Sequence, residues 1–526
     1  MRRSLTAALL AVALLHAAPA AATVYEVGPG QPLSAIGEVP WEALHAGDLV
    51  RIHARPAPYA EKWVVCGKGT EAAPIRIEGV PDALGTLPVI TGDGATTRLA
   101  LDFWNEPRGL LKIGAASHPD CTPPEWIVVE KLHLTSARDT FGFTDDAGAP
   151  QAYAANAAAV YVEDGRHVTI RGCELEDSGN GLFSTVQVVD LVVEDTFIHG
   201  NGNPGSVFEH NAYTAAHGVR FQGNRFGPLC AGCAGNNLKD RSAGTVIVAN
   251  WIEGGNRQLD LVDCEDDPAL AADPSYGDTY VAGNVLIEPD GDGNSQIVHF
   301  GGDSGDTAIY RPRLWFWNNT VVSSRAGNTT LFRLSSPTQH AEAFANVVYV
   351  SAPGDRLALV DADGDLRYGG NWWKATPVAS HSGATGTLTD AGGNLAGADP
   401  LFLDPVHQEY GLQVGSPCLD LDVPLPAATT AHPLLVQLQR PQGTIPRPAG
   451  GKRDLGAFEL QTGVLPPGQP KDLWVGCGCS GGGGGGGPLV LAAVALLALL
   501  RPGRRPRGAG RPSLSCSAAG PRPPRR

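Results

Sequence analysis

His210, Asn211 and Tyr213 stand together in the chain, followed by Lys239 and Arg241, then Asp260 and Asp263, then His299 and Arg333. These are residue types that do chemistry on anions. An amine or imidazole takes a proton, a phenol gives one, a guanidinium binds an anion, and paired carboxylates hold a cation such as calcium. His210, Lys239 and His299 each fall 15 residues after a recurring anchor (Asp195, Asn224 and Asn284), and Arg333 falls 14 after Asn319. In a repeating fold, equal offset implies equal azimuth, so this spacing predicts one line of side chains. Lys239 should then lie within two rungs of both Tyr213 and Asp260. The same charges would also serve as a surface ion-pair network of small value, with Lys239 and Arg241 against Asp240, Asp260 and Asp263. The two histidines would then be hydrogen-bonded turn residues.

The anchors belong to a repeat that must position these groups. Apolar β-formers, a polar pair and then Asn or a stand-in recur at Cys173, Asp195, Asn224, Asn250, Asn284, Asn319, Asn346 and Asn371, 22 to 35 residues apart. A second short run follows each anchor, as in Gly181-Leu182-Phe183 and Gln258-Leu259-Asp260-Leu261. Neither run has helical periodicity, and Gly, Asn and Asp turns separate them. A propeller blade needs ~40–50 residues, more than these units supply. The spacing predicts an all-β coil of parallel strands, with rungs ~4.8 Å apart. Equivalent asparagines would stack as a ladder with a structural role. Earlier copies are degenerate, at Leu49–Ile52, Ile75–Gly79, Val89–Gly92 and Ile127–Leu132. The stretch Asn394–Leu421 and the run Asp454–Glu459 are expected to be closing turns.

Both ends read as processing segments. Residues 1–22 have a basic start, an apolar run and an Ala-x-Ala site, the pattern of a secretory signal peptide. Residues 23–460 would form the coil and 461–476 a linker. Residues 477–526 carry Cys477 and Cys479, seven glycines, a short apolar run and eight arginines. The apolar run together with the glycines reaches about the minimum length of a membrane span, ~17 residues. Of 39 Lys and Arg, ten lie in the two end segments, which leaves 29 against 54 Asp and Glu. Such an acidic chain is not a nucleic-acid partner. Seven cysteines lie between the ends, so at least one thiol is unpaired. Cys173 in the ladder is the candidate, and Cys230-x-x-Cys233 reads as a disulfide within a loop. Asp290–Asn294 and Asp361–Asp365 lack the closing Glu of an EF-hand and read as acidic turns.

The asparagine ladder resembles that of the pectate-lyase-like right-handed parallel β-helix superfamily. The opening Gly47-Asp48-Leu49-Val50-Arg51-Ile52 and the closing Asp399-Pro400-Leu401-Phe402 and Asp454–Glu459 are also similar to secreted members. The resemblance covers roughly Thr23 to Leu460 and implies a right-handed single-stranded β-helix. The tail resembles the myxobacterial C-terminal sorting signal, which implies cleavage near a cysteine and retention at the cell surface. Many superfamily members cleave acidic polysaccharides by β-elimination. Asn237-Leu238-Lys239-Asp240-Arg241-Ser242 looks like the base segment of alginate-lyase and chondroitinase-B-like enzymes. The resemblance implies a base role for Lys239; the shared line of side chains adds Arg241, His210 and Tyr213 as catalytic candidates and Asn211, His299 and Arg333 as substrate-binding ones. That family has an arginine one rung after the lysine, where this chain has Val262 and Asp263. Arg241, or a calcium ion held by Asp260 and Asp263, would replace it. The expected protein is a monomer at the cell surface, held by its C-terminal segment, that binds an acidic polysaccharide, with β-elimination as the activity the site would add. A non-catalytic adhesin on the same coil, and a polygalacturonase-like hydrolase using Asp260, Asp263 and Glu265, are the alternatives.

Overall fold

A computed structural model describes residues 22–352 and 356–460. The expected leader up to residue 21, the linker and the tail lie outside the described residues.

Strand alternation builds the coil. In Val168-Thr169-Ile170, the Val and Ile are fully buried while Thr169 between them is only partly so. Their register partners Leu191 and Val193 repeat the pattern one rung on. Stacked rungs make three long sheets of 13, 11 and 13 strands, parallel apart from one antiparallel pair, Gly142–Thr144 with Pro150–Ala152. The result is a right-handed parallel β-helix around a single apolar interior that runs from Val27 to Trp373. The degenerate early copies are regular strands of this coil, at Leu49–His53, Ile75–Val80, Val89–Thr91 and Glu125–Glu130.

The ladder closes the turn between the first and second sheets. Asn224, Asn250, Asn284, Asn319, Asn346, Asn371 and Asn394 each offer Oδ1 to the amide N–H and Nδ2 of the residue below, or begin the series. Each rung is preceded by a residue with positive φ, as at Gly223, Ala249, Gly283 and Asn318. In the earlier rung Asp195 takes that left-handed position (φ 53°), and Thr196 Oγ1 stands in the ladder. The anchor is therefore Thr196, one residue later than the spacing suggested. The amides from Asn224 to Asn371 are buried, and one left without a partner costs about 1–3 kcal/mol. A shorter second ladder joins Asn201, Asn211 and Asn237 at the entrance to the third sheet.

Asn394 is the last rung of the first ladder, and the chain then does not close the coil with further turns. It runs back along the outside. Phe402, Tyr410, Leu412, Leu455 and Ala457 cover an outward apolar strip of Trp251, Val285, Ile287, Val347 and Trp372. Ala457 N–H donates to Thr320 Oγ1 and Gly456 N–H to Ala345 O, fixing this return strand. The reason is visible in the strands: Trp251 and Trp372 lie on a face that alternation aims at solvent, and such a patch must be covered.

Cys66 pairs with Cys121 and Cys230 with Cys233, while Cys173, Cys264 and Cys418 are free and buried. No helix among the described residues is long and apolar enough to cross a membrane.

Candidate functional site

The third sheet carries the site. Its strands Asn180–Ser184, Ala212–Thr214, Leu238–Asp240, Leu259–Leu261, Gln296–Phe300 and Thr329–Leu334 stack in register. One column of partners reads Phe183, Tyr213, Lys239, Asp260, His299, Arg333. The neighbouring column, Leu182, Ala212, Leu238, Leu259, Val298 and Phe332, is apolar and fills the interior. Alternation therefore turns the first column outward. Lys239 is flanked directly by Tyr213 on one rung and Asp260 on the next.

His210 is not in this column. It precedes the strand, three residues before Tyr213, with its ring edge-on to the Tyr213 ring at 5.6 Å. Equal chain offset misplaced it because loops between the second and third sheets differ in length. Asn211 does not face the groove either: it is fully buried, with Nδ2 donating to Gly227 O and to Asn237 Oδ1. The structure thus gives Asn211 a ladder role and no surface for a substrate.

The outward charges form one network whose centre, Lys239, Arg241, Asp260 and Asp263, is buried while Asp303 and Glu265 reach its open edge. Lys239 Nζ lies 3.1 Å from Asp260 Oδ2 and 2.6 Å from Asp303 Oδ2. Arg241 donates from Nε to Tyr213 Oη (2.8 Å), from Nη1 to Asp263, and from Nη2 to Glu265 (2.5 Å) and Asp303 (3.0 Å). Tyr213 Oη donates to Asp266 Oδ2 at 3.0 Å. Asp240 takes no part. It points inward to a fully buried pair with Arg311, at 2.7 Å. Because Arg241 and Asp263 are almost wholly enclosed, these pairs are not the low-value surface bridges that charge spacing suggested.

Burial and partners set the protonation states. Burial alone would raise Asp260, but the hydrogen bond from His299 and the charge on Lys239 hold it well below the usual carboxylate range. Burial would lower Arg241, yet Tyr213, Asp303 and Glu265 more than reverse this, so it stays cationic. Burial pushes the Tyr213 phenol above its ordinary value, so it keeps its proton.

Calcium does not fit Asp260 and Asp263. Asp260 Oδ1 is met by His299 Nδ1 at 2.7 Å, and Oδ2 by Asn236 Nδ2 (2.7 Å) and Lys239. Asp263 accepts from Arg241, from the Asp303 N–H and from Ser304 Oγ. Protein cations and donors already occupy the positions a metal would take. Among the described residues, a metal-holding geometry occurs instead at His133, Glu174 and Glu176 on another sheet.

Asp303 is the central group that the sequence did not signal. It sits in the loop 301–312, in no strand copy, and touches both Lys239 and Arg241. His299, in the column, is enclosed between Asp260 and Ser335 Oγ. Arg333 is exposed and forms no ion pair among the described residues. Beside Tyr213 opens a cleft of about 800 Å³ lined by Arg108, Phe183, Glu209, Asp266 and the exposed Phe208. An aromatic face and an arginine there extend the column with groups suited to a sugar ring and an acid.

His210 accepts the Asn236 N–H on Nδ1 at 2.9 Å, which leaves its proton on Nε2. Burial, then the Lys239 charge, push its pKa down to about 3. It is a neutral donor at working pH. Because its folded value lies below the ordinary ~6.5, its contribution to stability is complete above ~6.5 and is lost as pH falls towards about 3. Urea midpoints across that window are expected to fall more steeply for the parent than for His210→Asn. Equal slopes would show that His210 is not the titrating group.

No protein-family profile matches the chain, and no curated protein matches it by sequence. Solved structures similar to it include an alginate lyase from Paenibacillus sp. str. FPU-7, at 13% identity over 65% of this chain and 93% of that one, TM-score 0.38. Pectate lyase Pel9A is 14% identical over 83% and 96%, TM-score 0.42. PfbA, a surface adhesin of Streptococcus pneumoniae, is 11% identical over 68% and 88%, TM-score 0.37.

Proposed function

We propose that this chain is an exported β-helix that binds an acidic polysaccharide along its third sheet and cleaves it by β-elimination. The observation that carries this reading is the outward column in which Lys239 lies between Tyr213 and Asp260, with Arg241 on the Tyr213 hydroxyl. Lys239 is the group placed to take the proton from the carbon that bears the uronate carboxylate. That electron pair forms the new double bond, and the bond to the leaving oxygen breaks. Tyr213, which keeps its proton at neutral pH, hands it to that oxygen. The exposed Arg333 supplies positive charge along the column, and Arg241 holds the Tyr213 hydroxyl. Asp260 and Asp303 orient the amine from two sides.

One observation favours a second reading, hydrolysis. Glu265 and Asp303 oxygens lie 2.5 and 3.0 Å from the same Arg241 nitrogen, so they are no more than 5.5 Å apart. Burial raises Glu265. Burial would raise Asp303 as well, but Lys239 draws it below its usual value. Two neighbouring carboxylates with values pushed apart are the kind of pair a glycoside hydrolase uses as acid and base. Digesting uronate polymers and analysing the new ends decides between them. Elimination gives unsaturated ends that absorb in the ultraviolet, whereas hydrolysis gives saturated reducing ends alone.

The leader and tail complete the proposal. Residues 1–22 direct export, and the segment from Cys477 holds the protein at the cell surface. A chain ending at Leu460 is expected in the culture medium, measured by immunoblot of cells and supernatant. Unchanged attachment of that shortened chain would place the anchor elsewhere.

A further inference from the structure

A second cluster of ionisable side chains lies on the second sheet, away from the column of the third. The strands His133–Thr135, Glu174–Glu176 and Phe197–His199 occupy successive rungs. Their central residues Leu134, Leu175 and Ile198 are fully buried, so alternation turns His133, Glu174, Glu176 and His199 outward together. Register places His133 beside Glu174 and Glu176 beside His199, and the side chains cross diagonally. His133 Nε2 lies 2.8 Å from Glu176 Oε1, and His199 Nε2 lies 3.0 Å from Glu174 Oε1 and 3.6 Å from Glu176 Oε2. His133, Glu174 and Glu176 each place a ligand atom within 4.8 Å of the other two.

We propose that these four residues form a site for a transition-metal dication of the zinc class. Two imidazoles and two carboxylates are the donors such ions take, and two imidazoles are ligands that calcium does not favour. Ligand bonds of ~2.0–2.2 Å in a tetrahedron put donor atoms about 3.3 Å apart. The three imidazole–carboxylate separations, 2.8, 3.0 and 3.6 Å, bracket that value; His133, Glu174 and Glu176 already converge, and His199 swings in from its contacts with the two glutamates to complete the set. The donors are pre-placed. The His199 ring stacks on Phe197 at 3.8 Å, and the Arg225 guanidinium lies over the same Phe197 ring at 4.4 Å. Side-chain exposures of 19% to 32% leave an open path for the ion. Bound there, the metal pins three successive rungs together.

Zinc titration of the full chain by calorimetry tests this, paired with cobalt absorption spectra. The parent is expected to bind one more equivalent than His133→Gln/His199→Gln, and its cobalt spectrum should show tetrahedral nitrogen and oxygen ligation that the variant lacks. Equal stoichiometry in the two proteins would overturn the site. So would a parent spectrum dominated by thiolate-to-cobalt bands, which would place the ion on cysteines. Circular dichroism without metal checks that the double variant folds. If it does not, His199→Asn alone must lose the equivalent, and retention of the equivalent in that variant overturns the proposal as well.

Discussion

Lys239→Ala is expected to lower cleavage of a uronate polymer by about 10²–10⁴-fold, the usual worth of a positioned proton-transfer group. The folded chain should survive the change. Lys239 lies on the outward face, and the interior residues beside it, Leu238 and Asp240, are untouched. Some stability is lost because Asp260 is buried and gives up one donor. It keeps the hydrogen bonds from His299 and Asn236, so the cost should stay near that of one unsatisfied partner, about 1–3 kcal/mol. Rates must therefore be compared at a temperature where circular dichroism shows both proteins fully folded. A folded Lys239→Ala protein that cleaves as fast as its parent would remove Lys239 as the base.

Arg311→Met should destabilise the fold by about 3–5 kcal/mol, the cost of leaving one partner of a buried pair uncompensated. Asp240 is fully buried, and Arg311, itself 1% exposed, is the guanidinium that meets it. Arg311 also donates from Nε to Val262 O and from Nη1 to Thr245 and Thr279. Its loss therefore frees the loop 301–312 as well as the charge. Asp303 sits on that loop, so cleavage should fall along with stability. Urea unfolding measures the first effect. Restoring neutrality with Asp240→Asn in the same chain should recover part of the stability, because the orphaned charge is gone. A loss below about 1 kcal/mol in Arg311→Met would mean that Asp240 is not charged in the fold.

Much of this architecture is legible in the sequence because a β-helix repeats. Asn224 to Asn371 announce the ladder at a nearly regular period, and alternating apolar residues announce the strands. The ladder misreads by one residue at Asp195 for a local reason: the turn needs a left-handed residue before each rung, and Asp, one of the few side chains that tolerate that conformation, fills the place. The return strand was hidden for a different reason. Phe402 and Leu455 lie outside the repeat, and the strip they cover follows from outward tryptophans such as Trp251, which spacing alone reads as ordinary strand residues. In the site, Tyr213, Lys239, Asp260, His299 and Arg333 were legible because strand positions propagate from rung to rung. Asp303 and Asp266 come from loops, and no period reaches them. Asn211 misled because it sits in the same run as His210 and Tyr213. Its ladder role depends on Asn201 and Asn237, which are far from it in the chain.

The most direct test of the central claim is calorimetric binding of a uronate oligosaccharide and of its carboxyl-reduced neutral counterpart to the parent and to Lys239→Ala. The parent is expected to prefer the acidic oligosaccharide by at least about tenfold, which is ~1.4 kcal/mol, and Lys239→Ala should lose most of that preference. Equal affinity for the two sugars, or a preference unchanged by Lys239→Ala, would contradict the assignment of the third-sheet column as the binding surface.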